Sequence, residues 1–117
     1  MILAGKKAAY ITLGCKLNFS ETSTIRHSLE KAGVMTVDEK QGADIFVINT
    51  CSVTDVAERK GRQTIRKIIH HNPDACVVVV GCYAQLRAQE LMQIEGVDLV
   101  LGAQDKFKVE EHLRFYE

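Results

Sequence analysis

Cys76-Val77-Val78-Val79-Val80 is the most hydrophobic segment of the chain. A β-branched run with no polar alternation belongs in a strand covered on both faces, as in the interior of a parallel sheet. Asp44-Ile45-Phe46-Val47-Ile48-Asn49 has the same character, while Ala8–Leu13, Val34–Val37 and Val97–Leu101 read as three further strands. Helical patterns separate them. Asn18 has the capping-box spacing to Glu21, and Thr22, Ile25, Leu29 and Ala32 share one face of a helix that Gly33 is placed to end. Thr54 or Asp55 is suited to cap a second helix, with an apolar seam of Val56, Ile65, Ile68 and Ile69 and a stop at Asn72-Pro73. A short helix is expected around Ala88–Gln93, and Val109–Phe115 reads as a closing helix.

Strands separated by helices imply right-handed crossovers and a parallel sheet with helices on both faces. The expected fold is therefore α/β, three-layered, with a five-stranded parallel sheet in the flavodoxin-like order 2-1-3-4-5. At 117 residues the chain is read as one domain, 1–117, and its 34 Val, Ile, Leu and Phe residues suffice for a core. Fifteen basic residues balance fifteen acidic ones, which excludes a wholly basic nucleic-acid binder. One Pro and eight Gly exclude a linker or low-complexity segment. No apolar run approaches the roughly 20 residues of a membrane span. The N-terminus lacks the pattern of a secretory signal, so four cysteines point to a reducing cytoplasm and to metal ligation or reactive thiols.

Three of the cysteines share a setting. Gly14-Cys15 follows the first strand, Asn49-Thr50-Cys51 the third and Gly81-Cys82 the fourth. In the 2-1-3-4-5 order these strands are neighbours, each about 4.8 Å from the next. Cys15, Cys51 and Cys82 are therefore expected together at the carboxyl edge of the sheet, where open α/β sheets bind ligands. Each precedes a helix, whose free N–H groups favour a thiolate. Cys76 opens the fourth strand and is expected at the opposite edge as a buried small hydrophobe. Three converging thiolates suit an iron–sulfur cluster with one iron left open, or zinc with an added His. His27, His70, His71 and His112 all fall within or at the ends of helices, away from the three turns.

Other chemistries fail on spacing. Cys82 is followed by four residues before Arg87 and Cys51 by seven before Arg59, so neither makes the five-residue loop of a thiol phosphatase. Cysteines stand where a receiver-type phosphorylation site needs carboxylates. Gly14-Cys15-Lys16-Leu17-Asn18 is poor in the hydroxyl and glycine residues of a flavin phosphate loop, and there is no GxxxxGK[ST] run. The helix from Asp55 to His71 carries Arg59, Lys60, Arg62, Arg66 and Lys67 against Asp55 and Glu58. That excess of three positive charges is read first as a solvated face with ion pairs, and second as an interaction surface.

Thr12-Leu13-Gly14-Cys15-Lys16-Leu17-Asn18, Asn49-Thr50-Cys51-Ser52-Val53-Thr54 and Val80-Gly81-Cys82-Tyr83-Ala84-Gln85 together resemble the N-terminal domain of the radical S-adenosylmethionine methylthiotransferases, from about Lys7 onward. The Gly-Cys-Lys-Leu-Asn form is most similar to the branch acting on N6-threonylcarbamoyladenosine beside the tRNA anticodon. The resemblance implies that Cys15, Cys51 and Cys82 hold a [4Fe–4S] cluster whose open iron takes part in sulfur delivery. It implies tRNA and a sulfur donor as partners, no membrane, and a cytoplasmic location. It places S-adenosylmethionine and a second [4Fe–4S] cluster on a separate radical domain.

The four cysteines of this chain form no Cys-x-x-x-Cys-x-x-Cys motif, and the C-terminal RNA-binding domain is also missing. The chain thus looks like an excised domain that cannot cleave S-adenosylmethionine alone and binds tRNA weakly or not at all. No residue is singled out as catalytic. Asn18, Asn49 and Thr50 are expected to cap or stabilise turns rather than to orient substrate or cluster sulfurs. The competing interpretation is a flavodoxin-like binding or regulatory module with a structural zinc and no catalysis.

Overall fold

Successive side chains of an interior strand point into opposite layers, so a strand apolar at every position needs a helical layer on each side. The computed structural model, which describes residues 1–14, 16–51 and 54–116, has that arrangement. The chain runs β1 (Lys7–Thr12), α1 (Lys16–Lys31), β2 (Met35–Thr36), β3 (Ile45–Thr50), α2 (Asp55–His71), β4 (Cys76–Gly81), α3 (Cys82–Leu86), α4 (Ala88–Met92), β5 (Val97–Leu101) and α5 (Val109–Arg114). Short 3₁₀ turns lie at Glu39–Gln41 and Lys106–Lys108. The sheet is parallel throughout, in the order β2-β1-β3-β4-β5 expected from the sequence.

All positions of β3 and β4 are buried. Ile45 and Val47 of β3, with Val78 and Val80 of β4, pack with Ile25 and Leu29 of α1 and with Val109 and Leu113 of α5. Phe46 and Ile48, with Val77 and Val79, enter the other layer beside Ile65 and Ile68 of α2, Tyr83 and Ala84 of α3 and Leu91 of α4. Among the described residues no helix is long and apolar enough to cross a membrane.

Several local expectations change. Helix α1 starts at Lys16, so Asn18 lies inside it and is buried rather than acting as its N-cap. Glu21 closes no capping box; its carboxylate pairs with Lys106. Thr54 does cap α2, accepting from the Ala57 N–H. Val56 is exposed instead of lying in the buried seam, because α2 meets the core only from Gly61 onward. Helix α3 was not anticipated: it is five residues long and follows Gly81, whose φ of 104° turns the chain sharply out of β4. Strand β2 has two residues, fewer than the sequence suggests.

The amino edge of the sheet is closed by hydrogen bonds. Val77 pairs with Val97 and Val78 with Leu99, so Asp98 is an extra residue in β5. A bulge of this kind leaves ladder groups unpaired. Here Asp98 Oδ2 accepts from the Val77 N–H at 2.8 Å, and Oδ1 accepts from the Tyr116 hydroxyl at 2.7 Å. The Asp98 hydrogen bond and burial push Tyr116 up to about 12. Burial likewise pushes Tyr10 up to about 12 and raises Tyr83 above the ordinary phenol value. A raised phenol contributes stability that is whole below the unfolded value of about 10 and is lost as pH climbs through the folded value. An ultraviolet titration of the folded protein is therefore expected to show little phenolate at pH near 10, with unfolding and ionisation together toward about 12. Asp98→Ala, which orphans the Val77 N–H, is expected to lower the free energy of urea unfolding by about 1–3 kcal/mol.

Candidate metal centre

Thr50 and Gly81 are paired in register on β3 and β4, and Cys51 and Cys82 are the residues that follow them. Neighbouring strands are about 4.8 Å apart, so the two residues leave the sheet from adjacent strand ends at its carboxyl edge. Both are free, Cys51 half-buried and Cys82 exposed. Cys15 lies outside the described residues. Its neighbour Gly14 is described: a Cβ built there would stand 2.9 Å from the Cys51 Cβ. The turn that leads into Cys15 therefore abuts the Cys51 turn directly.

Glycine is required before both Cys15 and Cys82. Gly14 has φ 110° and Gly81 φ 104°, in the region that favours glycine. A Cβ at Gly81 would sit 2.6 Å from the Thr50 carbonyl oxygen and 2.7 Å from Asn49 Oδ1. In the sequence this requirement shows only as a Gly-Cys pair repeated after two strands.

Beneath the turns lies a buried polar network. The Asn18 Nδ2 donates to the Leu13 carbonyl at 2.8 Å and to the Thr50 carbonyl at 3.2 Å, joining the ends of β1 and β3. Asn49 Nδ2 donates to the Asn18 carbonyl at 3.0 Å and to Thr22 Oγ1 at 3.2 Å. The Thr12 hydroxyl donates to Thr22 Oγ1, and Thr22 in turn donates to the Asn18 carbonyl. Thr50 donates to the Val80 carbonyl at 2.7 Å, tying β3 to β4. Asn18, Asn49 and Thr50 thus spend these donors on holding the strand ends together, and Asn18 does so from inside α1 rather than as its cap. Asn49 Oδ1 is buried with no hydrogen-bond partner, against Gly81.

Cys76 is placed at the opposite edge, as expected. It is buried at the start of β4, and burial together with Asp98 pushes its thiol up to about 12, which makes it a poor ligand. Among the described residues no three His, Cys, Asp or Glu side chains gather as a metal site. Cys51 and Cys82 are two soft donors. The donor type fits iron–sulfur or zinc ligation, and both thiols stand where a bound group would be reachable from solvent.

The basic helix divides. Arg62 turns inward, donating to the Tyr83 hydroxyl at 2.8 Å and to Glu90 at 3.4 Å. Arg59, Lys60, Arg66 and Lys67 are exposed and make no ion pair among the described residues. Sequence reasoning also missed an apolar collar. Leu17, Val56 and Leu86, each within five residues of a motif cysteine, are all about two-thirds exposed.

The sequence model of the uncharacterized protein family UPF0004 matches residues 7–102. The chain is 48% identical over 101 residues to threonylcarbamoyladenosine tRNA methylthiotransferase MtaB of Bacillus subtilis (strain 168), covering 86% of this chain and 22% of that protein. It is 40% identical over 110 residues to the protein of the same name from Aquifex aeolicus (strain VF5), covering 94% and 27%. A tRNA-2-methylthio-N(6)-dimethylallyladenosine synthase of Chloroherpeton thalassium is 40% identical over 95 residues, covering 78% and 21%. The chain thus spans between a fifth and a little over a quarter of the length of these relatives.

Replacing Gly81 by Ala is expected to destabilise the fold more than replacing Gly5 by Ala. Both have positive φ, but nothing lies within 4 Å of a Cβ at Gly5. Urea unfolding of the two variants measures the difference, expected at about 1–3 kcal/mol because the Thr50 carbonyl is backbone and has to move.

Proposed function

The chain belongs to the UPF0004 family, the N-terminal domain of the tRNA methylthiotransferases, and on that premise we propose that it is the auxiliary-cluster domain of such an enzyme. The proposed substrate of the whole enzyme is N6-threonylcarbamoyladenosine beside the anticodon, converted to its 2-methylthio derivative. The two most similar relatives described above, both named for that nucleoside, support the assignment over the dimethylallyladenosine branch.

Cys15, Cys51 and Cys82 would hold a [4Fe–4S] cluster. Its usual ligation is four thiolates, so three leave one iron without a protein ligand. When bound, the cluster supplies an open iron at which sulfur for the methylthio group is delivered. The protein's own part is positional. Gly14 and Gly81 let the chain turn out of β1 and β4, the Asn18 amide fixes β1 against β3, and Thr50 fixes β3 against β4. The side-by-side exit of Cys51 and Cys82 is the observation that carries this reading. The exposed Leu17, Val56 and Leu86 support coverage of the same edge by a further protein surface, for which the radical domain is the proposed partner.

S-adenosylmethionine and its own cluster would belong to that radical domain, because the four cysteines here contain no second ligand set. The 117 residues alone are therefore expected to release no 5′-deoxyadenosine from S-adenosylmethionine. With zero net charge and Arg62 turned inward, they are also expected to bind tRNA weakly, with affinity falling further as salt rises.

Ligand substitution tests the assignment. After anaerobic reconstitution with iron and sulfide, Cys15→Ala, Cys51→Ala and Cys82→Ala are each expected to lose the broad visible charge-transfer absorption, while Cys76→Ala keeps it. A colourless protein that takes up zinc instead would favour the structural-zinc alternative. Loss of the cluster in Cys76→Ala but not in Cys51→Ala would refute the ligand set.

A further inference from the structure

Independently of the cysteines, the α2 side of the sheet carries a groove that the fold leaves open. Helix α1 covers β1 on one face, so the connection from β2 back to β3 crosses the other. That connection contains only the 3₁₀ turn at Glu39–Gln41, where doubly wound sheets ordinarily place a helix. Ile11 of β1 and Leu13 just beyond its end consequently stay half-buried although β1 is an interior strand. With Phe46 of β3 and Ile68 of α2 they floor a cavity of about 710 Å³, within the range of roughly 300–1,000 Å³ typical of small-ligand sites.

The rim has one predominant sign. Lys40 of the 3₁₀ turn and Lys67 of α2 line the cavity from two different elements, and neither makes an ion pair among the described residues. Glu39 is the one carboxylate among the residues lining the cavity. We propose that this groove binds a small amphiphilic anion, its apolar body on Ile11, Leu13, Phe46 and Ile68 and its single carboxylate or phosphate head between Lys40 and Lys67. An apolar body gains from displacing water over the uncovered strand, and the two unpaired ammonium groups favour an anionic head over a neutral one. Acyl carboxylates and nucleoside monophosphates share this chemistry.

Methyl-resolved NMR of the 117-residue protein, titrated separately with decanoate and with AMP, tests the proposal and distinguishes the two sources. One of the probes is expected to shift the Ile11, Leu13 and Ile68 methyls saturably, with Kd below about 1 mM. The corresponding neutral compound, decanol or adenosine, is expected to bind at least about tenfold more weakly. The double variant Lys40→Glu/Lys67→Glu, at two exposed positions and checked by circular dichroism, is expected to weaken the anion by a similar factor and to leave the neutral compound unaffected. The proposal is overturned if neither probe moves these methyls up to about 10 mM. It is equally overturned if the neutral compound binds as well as the anion, or if the shifts centre on Leu17 and Leu86.

Discussion

The carboxamide of Asn18 is the contact on which the carboxyl edge of the sheet depends. One nitrogen reaches the last carbonyls of two neighbouring strand segments, Leu13 and Thr50. A buried carbonyl left without a donor costs about 1–3 kcal/mol, so this amide holds two chain exits that would otherwise be poorly satisfied. Asn49 and Thr22 lock the Asn18 backbone in return, and Thr50 extends the link to Val80 on β4. The turns that bear the motif cysteines grow from three strand ends joined by one polar network. Such networks are rigid when their donors are used, and here nearly all are, the exception being an acceptor, Asn49 Oδ1.

The two edges of the sheet consequently differ in chemical character. At the amino edge Asp98 fills the gap left by the β5 bulge, Tyr116 closes over it, and Cys76 sits buried with its thiol held at about 12. That edge is tied together by hydrogen bonds, and its cysteine is held in the thiol form. At the carboxyl edge Cys51 and Cys82 remain accessible and the surrounding Leu17, Val56 and Leu86 are exposed. Cys76, which opens β4, and Cys82, which follows its last residue, therefore have opposite fates, set by which end of the strand each adjoins.

Much of this was legible in the residues. The unbroken apolar character of Ile45–Ile48 and Val77–Val80 forces burial on both faces, and with the alternation of strands and helices it implies a parallel sheet between two helical layers, for which the flavodoxin-like order is the leading arrangement of five strands. The position of each cysteine relative to its strand then follows by counting. What escaped the reading depends on tertiary partners. Asn18 looks like a cap because its spacing to Glu21 fits one, yet two buried carbonyls and Lys106 supply stronger partners for the pair. Val56 fits a helical seam by periodicity, but the helix meets the core only one turn later. Arg62 is indistinguishable in sequence from the other basic residues of α2, and the nearby Tyr83 hydroxyl and Glu90 carboxylate turn it inward. The missing crossover helix shows in sequence merely as a short stretch between β2 and β3. Its consequence, an uncovered Ile11 and Leu13, requires the strand order to be known.

The proposed set of three thiolates at the carboxyl edge would leave one iron of a bound cluster free. Electron paramagnetic resonance of the reconstituted, dithionite-reduced protein, recorded before and after adding methanethiolate, measures this directly. The account predicts a reduced-cluster signal that shifts when the thiolate is added, as an external ligand takes the open position. A signal that methanethiolate leaves unchanged, or no cluster signal at all, would contradict it.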